Sequence, residues 1–561
     1  MIRCSFATTS TSSTPSTGDR VPMTTSRRDF VRALGVIAAA PALVGLTAKG
    51  RVIGGGFVPD GSADGHLLRD GTARNRLRTS ATRRADRRVK VAIVGGGMGG
   101  LSAAWKLDAL GMHDWTLLEM DARTGGNARS ADYRGQRAPW GAHYVPVPSV
   151  DAVHVRQLFR ELGVLGADGV WDERVLCHTP QERIWQHGRW HEGLEPTDAM
   201  SRAHREQFRR FEERMGEWRH TGMFSVPSAE GHARRLAAHR AGGAAAKQAA
   251  AVGALDGYTA LEWMTREGFD APALRWWVEY GTRDDYGASL SQASAWAAVH
   301  YFAGRDADEQ GPLTWPEGND FIAQQLTARL SARPHADGRA RIVTGAPAWQ
   351  IARRGTRWIV DTPAERITAD VVIWCAPLFV LPRVCEGVTL PVTHEYAPWV
   401  VANLVIDRPP ASAGAELAWD NVIYGSRSLG YVNAAHQGLG TPPDRTVWTW
   451  YYAVVDRPAR EARQYLQQRA WSGWRDDILV DLSRAHRDIA DCVARVDIMR
   501  WGHAMARPTP GVLGRVAALN AWQPAPRMYV AHADLSGLSL FEEAQWHGVH
   551  AAAQAAAVVA G

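Results

Sequence analysis

The chain has 561 residues, 45% of them hydrophobic and 22% charged, which excludes a low-complexity or fibrous sequence and supplies core for two to four domains. Its 64 Lys+Arg against 58 Asp+Glu leave +6, and the cations concentrate only before Val89, so the charge gives no ground for a nucleic-acid partner. Five cysteines (Cys4, Cys177, Cys375, Cys385, Cys492) include no C-x-x-C pair and no Cys/His spacing that closes a tetrahedral site, which argues against a disulfide scaffold and a structural metal.

The one long apolar run, Leu34 to Ala48, has the length of a signal segment and falls short of the ~20 residues that cross a bilayer. Just before it, Ser26-Arg27-Arg28-Asp29-Phe30-Val31 resembles a bacterial twin-arginine export signal. The resemblance implies a partner in the twin-arginine export machinery and a cargo exported already folded and loaded with cofactor. It also implies a periplasmic or secreted protein with no stable membrane span once the signal is removed. Met1 and Met23 are both candidate starts. Residues 1–48 are therefore read as the signal region. Residues 49–88, Gly- and Arg-rich with little periodicity, are read as a linker or loosely docked arm in which Gly54-Gly55-Gly56 is only flexible.

Val89 to Val94 (VKVAIV) reads as a buried parallel strand and delivers Gly95-Gly96-Gly97-Met98-Gly99-Gly100 to an apolar-periodic helix. In G-x-G-x-x-G, Gly95 permits the tight turn, Gly97 lets backbone approach a pyrophosphate, and Gly100 lets helix and strand pack closely. The helix N-terminus adds N–H groups and positive potential. A second strand, Trp115 to Leu118, ends at Glu119, whose carboxylate can accept both hydroxyls of an adenosine ribose and would repel a 2′-phosphate.

The segment just past Glu119 distinguishes FAD from NAD. Arg123-Thr124-Gly125-Gly126-Asn127-Ala128-Arg129-Ser130 resembles the R-x-G-G-R-x-x-S/T segment of the flavin-containing amine oxidase, protoporphyrinogen oxidase and phytoene desaturase superfamily, with Asn127 where the family usually has Arg. Trp140-Gly141-Ala142-His143-Tyr144-Val145 is similar to the family's segment beside the isoalloxazine ring. Met528–Ala531, Asp534 and the helix from Phe541 are similar to its terminal motif. The resemblance implies a noncovalent FAD, since the covalent-flavin cysteine is missing and the nearest is Cys492. It assigns to the cofactor Gly95, Gly96, Gly97, Met98, Gly99, Gly100, Glu119, Gly125, Gly126, Asn127, Arg129, Gly141, Ala142, Ala348 through its backbone, Asp534 at the ribityl or pyrophosphate, and Phe541 at the pyrimidine edge.

The implied fold class is α/β: a discontinuous Rossmann-like FAD-binding domain with a mixed α+β substrate domain. Its FAD-binding parts are 89–150, 311–394 and 515–561, and its substrate parts are 151–310 and 395–514. Arg202 to Arg214 reads as a solvated helical face, and most of the 24 tryptophans read as core. Arg283, Asp284 and Asp285 form a polar cluster that is either a buried network or a substrate contact. Because hydride transfer to a flavin demands positioning above all, His143, Tyr144, Trp501 and His503 are the candidate pocket and catalytic residues around a small-molecule substrate.

Many amine oxidases of the superfamily keep a lysine near flavin N5. Here Tyr396 to Asn403 stands in that segment and no lysine follows Lys247, so either oxygen is not the acceptor or another group orders the water there. The expected activity is hydride removal from an amine-type CH–NH donor, with oxygen, a quinone or a redox partner as acceptor. The alternatives are FAD-dependent carbon–carbon desaturation, a protein that only binds the dinucleotide, and an NAD(P) dehydrogenase.

Overall fold

The computed structural model describes residues 52–79, 84–196, 200–305, 311–438 and 445–560. The expected signal region, 1–48, lies outside the described residues.

The strand Ala85–Val94 changes from alternating to continuously buried, because its second half is covered on both faces. It lies between two parallel neighbours, Trp115–Leu118 and Glu365–Trp374. Outward from these, Ile342–Val343 extends one edge, and the antiparallel pair Arg357–Asp361 and Gln350–Arg354 extends the other. Met528–Val530 adds in parallel to the end of Glu365–Trp374. Three stretches far apart in sequence thus complete one sheet. Val91, Ile93, Leu117, Val371 and Ile373 are fully buried at its centre, each contributing about 1.5–3 kcal/mol relative to exposure.

A second, eight-stranded mixed sheet runs Gly54–Phe57, Val493–Arg507, Glu395–Ile406, Thr446–Ala453, Tyr431–Asn433, Asp420–Ile423, Glu182–Gln186, Arg189–Glu192. Glu395–Ile406 is buried along almost its whole length because both faces are covered. One face packs on the helices Ala459–Gln468 and Trp471–Ser483, the other on an aromatic cluster containing Trp140, Trp419 and Tyr451. Trp448, Trp450 and Trp474 are core residues, whereas Trp471 and Trp501 are only partly buried.

A helical lobe, 202–303, has its own core. The helix Arg202–His220 buries Phe208, Phe211, Met215 and Trp218 at helical spacing. Arg209 bridges Glu206 and Glu213 on the solvated side. The mixed charges of 202–214 thus form one face of a helix whose other face is core.

The stretch expected to be a linker is structured where it is described. Ser62–Arg69 and Thr72–Thr79 are helices, residues 85–88 begin the central strand, and Gly54–Phe57 is an edge strand parallel to Val493–Arg507. The three glycines are therefore not merely flexible. Gly55 adopts φ +128°, and a Cβ there would lie 1.9 Å from the carbonyl oxygen of Val496, so only glycine lets the two backbones approach. Gly55→Ala is expected to cost about 1–3 kcal/mol in thermal or denaturant unfolding. Gly56→Ala, whose Cβ would meet no atom within 4 Å, should change little.

Candidate functional site

At the end of the central strand the chain turns into the helix Met98–Ala109, with Gly97 at its N-cap. A Cβ at Gly100 would fall 1.9 Å from the Gly95 carbonyl, so this glycine is what allows the helix to sit on the turn. The N–H groups of the helix's first turn have no intrahelical acceptor and leave positive potential at Gly97–Gly100. Glu119 follows the neighbouring strand: Gly96 N–H donates to its Oε2 (2.7 Å) and Asp121 N–H to its Oε1 (2.8 Å). Burial raises the pKa of this carboxyl, and those two amides oppose the rise.

The second glycine pair packs on the first, with Gly125 N–H donating to the Gly96 carbonyl at 2.8 Å. Gly126 takes φ +56°, and a Cβ on it would stand 3.3 Å from Gly97 Cα. Arg129 pairs with Asp121 at 2.9 Å and lies over the Trp501 ring. Asn127 does not mimic an arginine: its Nδ2 donates to the Ala504 carbonyl at 2.6 Å. Trp140 N–H donates to Arg129 O, Ala142 N–H to Asn127 O, and Trp501 Nε1–H to Trp140 O. The segments 125–129, 140–142 and 501–504 are thereby tied together. A register shift helps: Ala397 pairs with Met505 and Trp399 with Trp501, so Gly502-His503-Ala504 stands opposite Pro398 alone and bulges toward Asn127.

Of the four candidate catalytic residues, His143 and Tyr144 lie together, Trp501 packs on the same aromatic cluster as Tyr144, and His503 lies on other rings. His143 sits among Tyr144, Trp419 and Tyr451, with ring centroids 5.0, 5.4 and 4.7 Å away, and burial lowers its pKa to about 4. Tyr144 OH reaches Asp284 (3.1 Å) and Asp285 (3.3 Å), and Asp285 pairs with Arg305 at 2.6 Å. Tyr280 OH donates to Asp420 at 2.7 Å. Burial, reinforced by Asp285, pushes the Asp284 carboxyl up to about 7 against the pull of Arg305. Burial also raises Asp420 well above its ordinary value.

His503 lies elsewhere, stacked on Phe379 (4.5 Å) and near Tyr396 (5.9 Å). Tyr396 OH and Leu378 N–H both donate to Oδ2 of the buried Asp534, at 2.6 and 2.9 Å. Its Oδ1 lies 3.2 Å from His532 Nδ1, but that nitrogen accepts Asp534's own amide N–H, so Oδ1 has no donor. Trp501 is linked to the ring segment through Trp140. Ala348 is buried just before the strand Gln350–Arg354, and Phe541 stacks on Phe159.

The Asp284–Asp285 pair was visible in the sequence as a polar cluster. Trp419, Asp420 and Tyr451 were not singled out, because they come together only when the strand from Asp420 and the strand Thr446–Ala453 join the second sheet, and no local pattern marks them. Tyr396 likewise carries no motif. Cys177, Cys375, Cys385 and Cys492 are buried free thiols, and no helix of the described residues is long and apolar enough to cross a membrane.

A family profile described as an NAD(P)-binding Rossmann-like domain matches residues 93–162. No curated protein matches the sequence. Among solved structures, the chain is similar to a putrescine oxidase determined with putrescine, at 17% identity and TM-score 0.60, over 84% of this chain and 100% of that one. It is also similar to a cyclohexylamine oxidase from Brevibacterium oxydans IH-35A, at 14% identity and TM-score 0.60, over 84% and 100%. A CLA-producing fatty acid isomerase from P. acnes matches at 15% identity and TM-score 0.58, over 83% and 98%. The chain therefore has the mixed α/β fold of these proteins, a Rossmann-like dinucleotide-binding domain joined to a mixed-sheet substrate domain, as in amine oxidases.

A carboxyl whose folded pKa lies above its unfolded value binds its proton preferentially in the folded state. Asp284 should therefore withdraw stability as pH rises from about 4 to about 7, with nothing further lost above that. Asp284→Asn is expected to be more stable than the parent at pH 8 by at least ~1 kcal/mol, an advantage that fades toward pH 5. Denaturant unfolding at the two pH values measures it.

Proposed function

We propose that the chain is an FAD-dependent oxidoreductase that removes a hydride from the carbon of an amine-type CH–NH donor, with FAD held noncovalently. The residues present suit the cofactor's ADP half. A Cβ at Gly97 would meet nothing nearer than Gly126 Cα at 4.0 Å, so backbone is open to a phosphate there. The first-turn N–H groups of the Met98 helix supply donors, and Glu119 keeps spare lone pairs on both oxygens for ribose hydroxyls. Asp534 Oδ1 is a buried acceptor awaiting a donor. When bound, FAD supplies a hydride acceptor.

The observation that carries the amine reading is the charge around Tyr144. Asp284, Asp285 and Asp420 lie near one another and interact through Tyr144 and Tyr280, with Arg305 as the paired cation, beside the rings of His143, Trp419 and Tyr451. A protonated amine favours the charged form of Asp284 and Asp420, which burial disfavours, and is attracted to the aromatic faces. A neutral polyene does neither. Asp284, poised near neutrality, then accepts the ammonium proton at its carboxylate, so that the donor nitrogen is neutral when the hydride leaves. His143, buried and neutral, shapes the wall without adding a competing positive charge.

The test is the visible spectrum of the purified protein, followed anaerobically while mono- and polyamines are added. A flavin spectrum that bleaches with an amine is expected, with Asp284→Asn bleaching roughly 100-fold more slowly. A flavin indifferent to every amine would return the weight to desaturation or to binding alone. A colourless protein that refuses added FAD would defeat the proposal.

A further inference from the structure

A cavity of about 230 Å³ opens among the helices Val153–Glu161, Ser228–Ala241 and Phe541–Ala560. Its polar lining holds the carboxylates of Asp151, Glu230 and Glu542, the amide of Gln545 and the rings of His154 and His550, with His154 Nδ1 also without a partner. Glu542 is 3% exposed; burial raises the pKa of its carboxyl, and its own backbone N–H and the Arg305 charge oppose that rise. Gln545 is fully buried; its Nε2–H donates to the His154 carbonyl at 3.2 Å, which fixes the amide's orientation and leaves Oε1 without a partner at the cavity. Glu230 adds a second carboxylate, and Asp151 a third that Arg234 already engages. Trp546 and His550, stacked 3.7 Å apart, form an aromatic wall, while Ala152, Val153 and Pro227 supply apolar surface.

This combination selects its ligand by chemistry. An anion would meet carboxylates, and a lone hydroxyl brings one proton to several acceptors. A buried acceptor left unpaired costs about 1–3 kcal/mol, so a ligand that donates to both Glu542 and Gln545 gains from each. A primary ammonium carries three N–H donors and a positive charge, and its alkyl group suits the apolar wall.

We propose that this cavity binds the ammonium group of a small primary amine, anchored by the Glu542 carboxylate and Gln545 Oε1. The cavity shares no lining residue with the site around Tyr144, although Glu542 interacts electrostatically with Arg305 and Asp285 of that site, and the proposal goes beyond the redox reading because it needs neither flavin reduction nor turnover. Glu542 follows Phe541 at the start of the last helix, so the site adjoins the segment on which the terminal motif depends.

Isothermal titration of n-butylammonium into the full-length protein, with whatever cofactor it carries, tests the proposal, with n-butanol and butyrate as neutral and anionic controls. Saturable binding of butylammonium alone is expected, weakened at least tenfold in Glu542→Gln and several-fold in Gln545→Leu. Should Glu542→Gln fail to fold by circular dichroism, Glu230→Gln, at a half-buried position, serves in its place and should weaken binding about threefold. Absence of saturable binding, equal binding of butanol, or parental affinity in the folded variants would overturn it. Binding lost in Asp284→Asn but kept in Glu542→Gln would also overturn it, by assigning the ammonium to the Tyr144 site. The two proposals fail separately: butylammonium bound through Glu542 beside a flavin that no amine bleaches would defeat the redox reading and leave this one standing.

Discussion

The architecture depends on a backbone-to-backbone contact between two helices that most of the sequence separates. A Cβ at Gly548 would stand 2.4 Å from the Gly99 carbonyl, and one at Gly99 would stand 2.3 Å from the Ala531 carbonyl. Without side chains at these points, the helix Phe541–Ala560 lies directly on Met98–Ala109. The strand Met528–Val530 can then join Glu365–Trp374. That closure brings the Ala531 and Ala544 carbonyls to Gly99 of the dinucleotide turn, and everything between folds as insertions that leave the sheet and return to it.

The insertions meet the Rossmann-like domain through shared core, where Val155, Leu158 and Phe159 join the cluster of Val91 and Ile93, and through polar links. Asn127 to Ala504, Trp501 to Trp140 and Tyr451 to Gly141 each join a loop of one domain to the second sheet. Hydrogen bonds of this kind add modest net stability, but they are directional, so they set where the ring segment lies relative to the sheet. The β-bulge opposite Pro398 serves the same end by moving Gly502-His503-Ala504 out of the ladder.

The interior carries an unusual amount of acid. Asp284, Asp420, Glu542 and Glu543 are enclosed, and burial raises the pKa of each. Glu543 is compensated locally, accepting from Ser228 N–H and Ser536 OH at 2.6 and 2.5 Å. Asp420 and Asp284 accept from the hydroxyls of Tyr280 and Tyr144, and Glu542 from its own backbone N–H, yet burial still raises the pKa of all three. Retaining incompletely compensated carboxyls in a core costs stability, which is why such groups point to function more than to folding.

Periodicity and local spacing were enough to read the strand, turn, helix and acid from Val89 to Glu119, because every part of that unit is determined by neighbours a few residues away. The same local rules misread Gly54-Gly55-Gly56, since a glycine needed for close backbone approach and a glycine in a flexible arm look identical until the partner strand is known. They also grouped His143, Tyr144, Trp501 and His503; in the folded chain His143 and Tyr144 meet Trp419, Trp501 meets Trp140 and Arg129, and His503 meets Phe379 and Tyr396. The sequence by itself thus determined the dinucleotide unit and the presence of an Asp284–Asp285 cluster. Only the tertiary structure decided which rings and carboxylates share a pocket, because strand pairing across the eight-stranded sheet sets those neighbours and leaves no short-range signature.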